Sequence, residues 1–199
     1  MRSLLAGVCL LMAGIGVSAA AGTEQAKPAG MDVKQLMQNL GQVKVAKGTF
    51  VERKYMSILS TPLELSGTLI YTAPGHLEKH TLLPKPESMV LEMDKLTLEN
   101  KTKNQRRTVV LQEYPVIWAF VEGIRSTLAG DLQTLSKFYR VSLDGNANQW
   151  RLQLIPVESG MKAVVEEILI SGSKNWVRTI EIIESGGDRS VMTVTEDAS

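Results

Sequence analysis

Apolar positions change their spacing several times along this chain, and each change predicts a different element. An unbroken apolar run from Leu4 to Val17 comes first, preceded by Arg2 and followed by Ser18, Ala19, Ala20 and Ala21. A basic residue, an apolar stretch shorter than the about 20 residues a bilayer requires, and small residues at its end read as a secretory leader. Residues Gly22 to Gly30 are small or polar residues and one Pro without apolar period, as in a flexible tether. The expected division is a leader at 1–21, a tether at 22–30 and a single domain at 31–199.

Spacing of i, i+3, i+4 and i+7 then appears at Val33, Leu36, Met37 and Leu40, between Asp32 as N-cap and Gly41 as stop, and predicts a short amphipathic helix. From Lys44 to Lys103 the pattern becomes short β-prone stretches divided by turn residues. Phe50–Ile58, Leu63–Thr72, His76–Leu82, Ser88–Met93 and Lys95–Asn100 have the spacing of an antiparallel meander, with Arg106–Leu111 as a further strand. Within the second stretch Leu63, Leu65, Leu69 and Tyr71 alternate with Glu64, Ser66 and Thr68, so one face is apolar and the other wet.

A helical stripe of Ile117, Phe120, Val121, Ile124 and Leu128 follows, with Pro115 in its first turn and Gly130 as its stop. Asp131 caps a second short helix carrying Leu132, Leu135 and Phe138. The β pattern returns at Tyr139–Leu143, Gln149–Ile155, Ala163–Ser171, Asn175–Ile183 and Ser190–Thr195, with Asp144-Gly145 and Ser185-Gly186-Gly187 as turns. The expectation is α+β, mainly antiparallel β, with about ten strands and three helices in one domain.

The 199 residues include 22 Lys and Arg against 21 Asp and Glu, for a net charge of +1, and are 44% hydrophobic and 22% charged. This composition fits a globular domain with one core and excludes collagen-like, coiled-coil and wholly disordered chains. So even a balance lacks the basic footprint that binds a phosphate backbone, so no nucleic acid partner is expected. Cys9, the single cysteine, lies inside the leader with Val8 before it, which speaks against a lipid-modified cysteine. The exported remainder has no thiol, which excludes disulfides, thiol catalysis, iron–sulfur clusters and Cys-ligated zinc.

Candidate chemistry is sparse. His76 and His80 are the only histidines, four apart on a predicted strand, and so on one face with Glu78 between them. Two histidines without remote ligands at metal spacing read as exposed structural residues, and no catalytic residue, metal or cofactor is expected. Gly186-Gly187-Asp188 lies between two strands and reads as a hairpin, with Asp188 and Arg189 as a charged pair. The run Lys101, Lys103, Arg106, Arg107 reads as a solvated turn ahead of a docking contact with a membrane surface or an acidic partner. Trp118, Trp150 and Trp176, and Met56, Met89, Met93 and Met192, read as core. An antiparallel sheet with one apolar face and few helices to cover it either closes on itself or holds a hydrophobic ligand in its concavity.

The ordered segments Gly48-Thr49-Phe50-Val51-Glu52, Ser66-Gly67-Thr68-Leu69, Ala73-Pro74-Gly75-His76-Leu77-Glu78, the mid-chain apolar helix and Gly187-Asp188-Arg189-Ser190 resemble the LolA lipoprotein carrier family. Leu128-Ala129-Gly130-Asp131 and Arg189-Ser190-Val191-Met192 resemble its divergent LolA-related branch. The resemblance implies an incomplete, unclosed β-barrel with a helical lid over its concave face. It also implies a periplasmic, monomeric carrier that takes an acylated lipoprotein or other lipid passenger from an inner-membrane exporter to an outer-membrane acceptor through transient contacts. The lid is then Val33–Leu40, Tyr114–Leu128 and Leu132–Leu135. Leu65, Leu69, Leu77, Leu91, Trp118 and Phe120, chosen by alternation and helical stripe, are the expected lipid-binding residues; the competing reading makes them a dry core. Better-known carriers often place an Arg before the Pro of the third-strand turn to latch the lid, whereas here Ala73 precedes Pro74. Two other classes stay open. One is a periplasmic lipid-sensing or regulatory module on the same half-barrel, and the other a hydrolase of lipid or glycan.

Overall fold

The computed structural model describes residues 31–197, so the expected leader and tether lie outside the described residues. Eleven strands form one antiparallel sheet. They are β1 (Val45–Tyr55), β2 (Leu63–Thr72), β3 (His76–Leu83), β4 (Glu87–Glu92), β5 (Lys95–Asn100), β6 (Gln105–Val110), β7 (Tyr139–Asn146), β8 (Gln149–Pro156), β9 (Val165–Ser173), β10 (Trp176–Glu184) and β11 (Arg189–Glu196). Their order, β6-β5-β4-β3-β2-β1-β11-β10-β9-β8-β7, leaves β6 and β7 as unjoined edges, so the barrel is open as expected. Four helices accompany it: α1 (Val33–Leu40), α2 (Pro115–Ala129), α3 (Leu132–Phe138) and the four-residue α4 (Ser159–Lys162). The chain runs from edge β6 through α2 and α3 to edge β7, which carries these helices across the gap. Among the described residues, no helix is long and apolar enough to cross a membrane.

Local chemistry accounts for most element ends. Asp32 accepts from the Gln35 N–H at 2.8 Å while Gln35 Oε1 accepts from the Asp32 N–H at 3.1 Å, a reciprocal cap that starts α1. Gly130 ends α2 at φ +71°, and a Cβ there would come within 2.1 Å of the Met37 carbonyl. Asp131 accepts from the Thr134 N–H at 2.9 Å and starts α3. Asp144 and Gly145, expected as a turn, lie instead within β7. Gly145 takes φ +100° inside the strand where a Cβ would meet the Gln149 carbonyl, so the glycine serves a tight strand approach and the hairpin turns beyond it.

Alternation along the strands sorts the side chains onto two faces. Phe50, Gly67, Leu69, Leu77, Leu91 and Leu96 share the concave face through their pairings across β1 to β5. Two packed clusters cover that face at its flanks. On one side Trp150, Leu152, Leu154, Ile168 and Ile170 are buried against Leu36, Met37 and Leu40 of α1, Ala119 of α2 and Leu135 of α3. On the other, Leu91, Leu96, Val109 and Leu111 pack on Val121, with Ile117 and Trp118 beside them. Gly123 lets α2 settle on β7: a Cβ there would lie 3.0 Å from Tyr139 Oη, which donates to the Ala119 carbonyl at 2.9 Å. Of the expected core residues Trp150 is buried, but Met93 is 78% exposed because it forms the β4–β5 turn at φ +52°. Asp188 and Arg189 do not pair with each other. Asp188 accepts from the Ser57 N–H at 2.8 Å, and Arg189 reaches Glu181 at 3.4 Å.

Candidate ligand-binding site

Between the two packed flanks the central strands β1, β2, β10 and β11 keep an apolar concave surface that the helices approach without filling. A cavity of about 760 Å³ lies there, within the size range of ligand sites. Leu69, Tyr71, Ile180, Ile182, Met192 and Val194 form its sheet wall, and Leu40, Phe120, Ile124 and Leu128 its helical wall. Glycine favours the tight curl at this place. A Cβ on Gly48 would stand 2.5 Å from the Thr195 carbonyl and one on Gly67 would stand 1.9 Å from that of His80. Gly67 sits where the β2–β3 register shifts, an irregularity that bends a strand locally.

The expected lipid-binding residues fall in three places. Leu69, Leu77 and Phe120 border the cavity. Leu65 borders a neighbouring groove of about 570 Å³ that shares Lys54, Lys79 and Met89 with the cavity. Leu91 and Trp118 belong to the packed cluster beside it, Leu91 at 1% exposure. The three expected lid segments match α1, α2 and α3, and Leu40 of α1 and Phe120, Ile124 and Leu128 of α2 meet the cavity.

Sequence reasoning missed the polar group between the two chambers. Glu52 points inward from β1 and is buried. It accepts from Lys79 Nζ at 2.5 Å and from Ser190 Oγ at 2.7 Å, and Lys54 Nζ lies 3.6 Å away. Lys79 reaches it over Gly67, with its Nζ 4.9 Å from the centre of the Phe50 ring. Burial by itself would raise the Glu52 pKa, but Lys79, Ser190 and Lys54 outweigh it and hold the carboxyl below its usual value. The available signal was a carboxylate two residues after Phe50, on the strand's apolar face. Two buried atoms, Tyr71 Oη and Trp176 Nε1, have no protein partner, and both residues border the cavity.

The lid is fastened from the helix. Arg125 of α2 donates to the Met93 carbonyl in the β4–β5 turn and pairs with buried Glu122. Trp118 Nε1 at 3.1 Å and Ser126 Oγ at 2.9 Å donate to the same carboxylate. The Arg125 stem lies over Gly75, where a Cβ would stand 2.7 Å from Cδ. Thus the turn that carries Ala73-Pro74 meets an arginine brought by the lid. On the opposite face of β3, His76 Nε2 and His80 Nε2 bond the two oxygens of Glu78 at 2.8 and 2.7 Å, and the pairing holds that carboxyl's pKa down. Among the described residues, no group of three or more His, Cys, Asp or Glu is placed to hold a metal ion.

The family described as outer membrane lipoprotein carrier protein LolA-like matches residues 25–198, and the chain belongs to it. Solved structures similar to this chain include a LolA superfamily protein from Nitrosomonas europaea, at 6% identity and a TM-score of 0.45, with 83% of this chain and 92% of that one covered. A DUF1329 family protein from Desulfovibrio piger shows 9% identity and a TM-score of 0.45 over 82% of this chain and 90% of that one. A chain of the Pseudomonas aeruginosa MucA/MucB complex shows 12% identity and a TM-score of 0.45 over 84% of this chain and 58% of that one. Comparison with curated proteins gives no match.

Proposed function

We propose that this protein is a periplasmic carrier that takes the acyl chains of a lipoprotein or another lipid into its concave cavity and moves them from the inner to the outer membrane. The observation that carries the reading is the cavity of about 760 Å³, walled by apolar side chains of the central strands and of α1 and α2. Each methylene moved from water into such a space contributes about 0.8 kcal/mol. Family membership supports the reading, as does the apolar run at Leu4 to Val17, read as an export leader over 1–21. Tyr71 and Trp176 border the cavity with a buried Oη and a buried Nε1 that have no protein partner. In this reading the site binds and releases without chemistry, and the protein acts as a monomer that meets an exporter and an acceptor in turn.

Native mass spectrometry with lipid extraction on protein purified from the periplasm tests this, alongside an Ile180→Trp variant that fills the cavity from the sheet. The expected result is an acylated species carried by the wild type and missing from a variant that keeps its melting temperature. A wild type that carries no lipid and rejects an apolar fluorescent probe overturns the reading.

A further inference from the structure

Antiparallel pairing places the β1–β2, β3–β4, β5–β6, β8–β9 and β10–β11 connections at one end of the sheet. Among the described residues, most of the exposed large apolar side chains lie toward that end, Met93 and Val45 being at the other. Ile58 is 82% exposed, Leu83 63% and Leu82 58%, and Leu59, Val157 and Val164 are exposed beside them. The tips are held in place: the Ser57 N–H donates to Asp188 at 2.8 Å, which ties the β1–β2 loop to the β10–β11 turn. The Leu59 N–H also closes on the Met56 carbonyl at 2.9 Å. Ile58 is therefore presented to solvent by a fixed loop.

The β3–β4 and β5–β6 side of this end is basic, whereas exposed Glu158 and Glu184 lie on its β8–β9 and β10–β11 side. Lys85 stands in the β3–β4 turn, Lys101 and Lys103 in the β5–β6 turn, and Arg106 follows them, all exposed. Among the described residues none of these four has an ion-pair partner. The apolar tips Ile58, Leu82 and Leu83 beside these unpaired cations match the acyl and headgroup layers of an anionic bilayer surface, since each basic group near such a surface adds about 1 kcal/mol. The cavity wall extends to this end through Tyr55, Met56 and Leu63. An acyl chain leaving the bilayer there would meet apolar wall at once.

We propose that this end is a membrane-docking surface that seats the chain on an anionic bilayer, with Ile58, Leu82 and Leu83 entering the interface and Lys85, Lys101 and Lys103 contacting phosphate headgroups. The proposal goes beyond the carrier reading and fails separately from it, because vesicle binding needs no occupied cavity.

The test is flotation of the exported protein with vesicles of phosphatidylethanolamine and phosphatidylglycerol, against vesicles of phosphatidylcholine alone, at low and high salt. Binding to the anionic vesicles that weakens with salt is expected, and Lys101→Glu/Lys103→Glu should reduce it by at least about tenfold. Ile58→Asp/Leu83→Asp should also reduce binding, with the melting temperature kept because both side chains are exposed. No binding to anionic vesicles, equal binding to phosphatidylcholine, or full binding by both double variants overturns the proposal.

Discussion

The flank built on β7 to β9 and the central strands β1, β2, β10 and β11 have concave faces of much the same chemistry, yet one is a solid core and the other walls a cavity. Leu152, Leu154, Ile168 and Ile170 are at most 1% exposed, whereas Leu69, Ile180 and Met192 stay half-buried. The difference lies in what stands opposite. Leu36, Met37, Leu40 and Leu135 are buried within the flank core, while Phe120, Ile124 and Leu128 pack against that core on one side and border the open space over the central strands on the other. Apolar alternation fixes which face a strand turns inward, and the fit of the lid decides whether that face becomes core or binding surface.

The largest expected effect tests that contrast directly. Leu154→Ala should lose about 2–5 kcal/mol in denaturant unfolding, because it opens a hole in a close-packed region. Ile180→Ala should lose less than about 2 kcal/mol, since its side chain already borders empty volume. Equal losses would mean that the central strands are packed as tightly as the flank.

Next comes Glu52→Gln, which strips Lys79 of its carboxylate partner and should cost about 3 kcal/mol at neutral pH. Because the folded Glu52 has a lowered pKa, its contribution is present above the ordinary carboxyl value of 4.5 and is lost as pH falls from there through the folded value. Unfolding free energies measured against pH should therefore fall less steeply below pH 4.5 in Glu52→Gln than in the wild type. Parallel curves would show that Glu52 takes no part in acid unfolding.

Arg125→Ala should cost about 1–3 kcal/mol of global stability, because it leaves the Glu122 carboxylate and the Met93 carbonyl without that donor. Its signature is local. Amide exchange should quicken in α2 and stay unchanged in β8, and equal rates in α2 would mean that apolar packing alone holds the lid.

Much of the fold was legible because it is written in short-range patterns. The predicted α1, β2 and β5 coincide with the observed bounds, since caps, turn residues and strict alternation mark them within a few residues. The first strand begins earlier than expected, at Val45, because Ala46 and Gly48 are inward positions with too little side chain to show an apolar period. Helix α4 was missed because its four residues, Ser159 to Lys162, are too few to reveal one. Leu91 and Leu69 look alike in sequence, yet one is packed under Val121 and the other borders the cavity.

By itself the sequence determined the elements, the inward face of each strand, the capped helices meant to cover that face and the family to which the pattern belongs. Tertiary structure alone decided where the cover fails to fill the concavity, and it joined Glu52 to Lys79, 27 residues away, and to Ser190, 138 residues away. It also gathered the apolar and basic tips of distant hairpins at one end of the sheet. The reason is physical: periodicity and capping are settled within a few neighbouring residues, whereas coverage, charge pairing and shared surfaces depend on chain segments brought together only by the closure of the whole sheet.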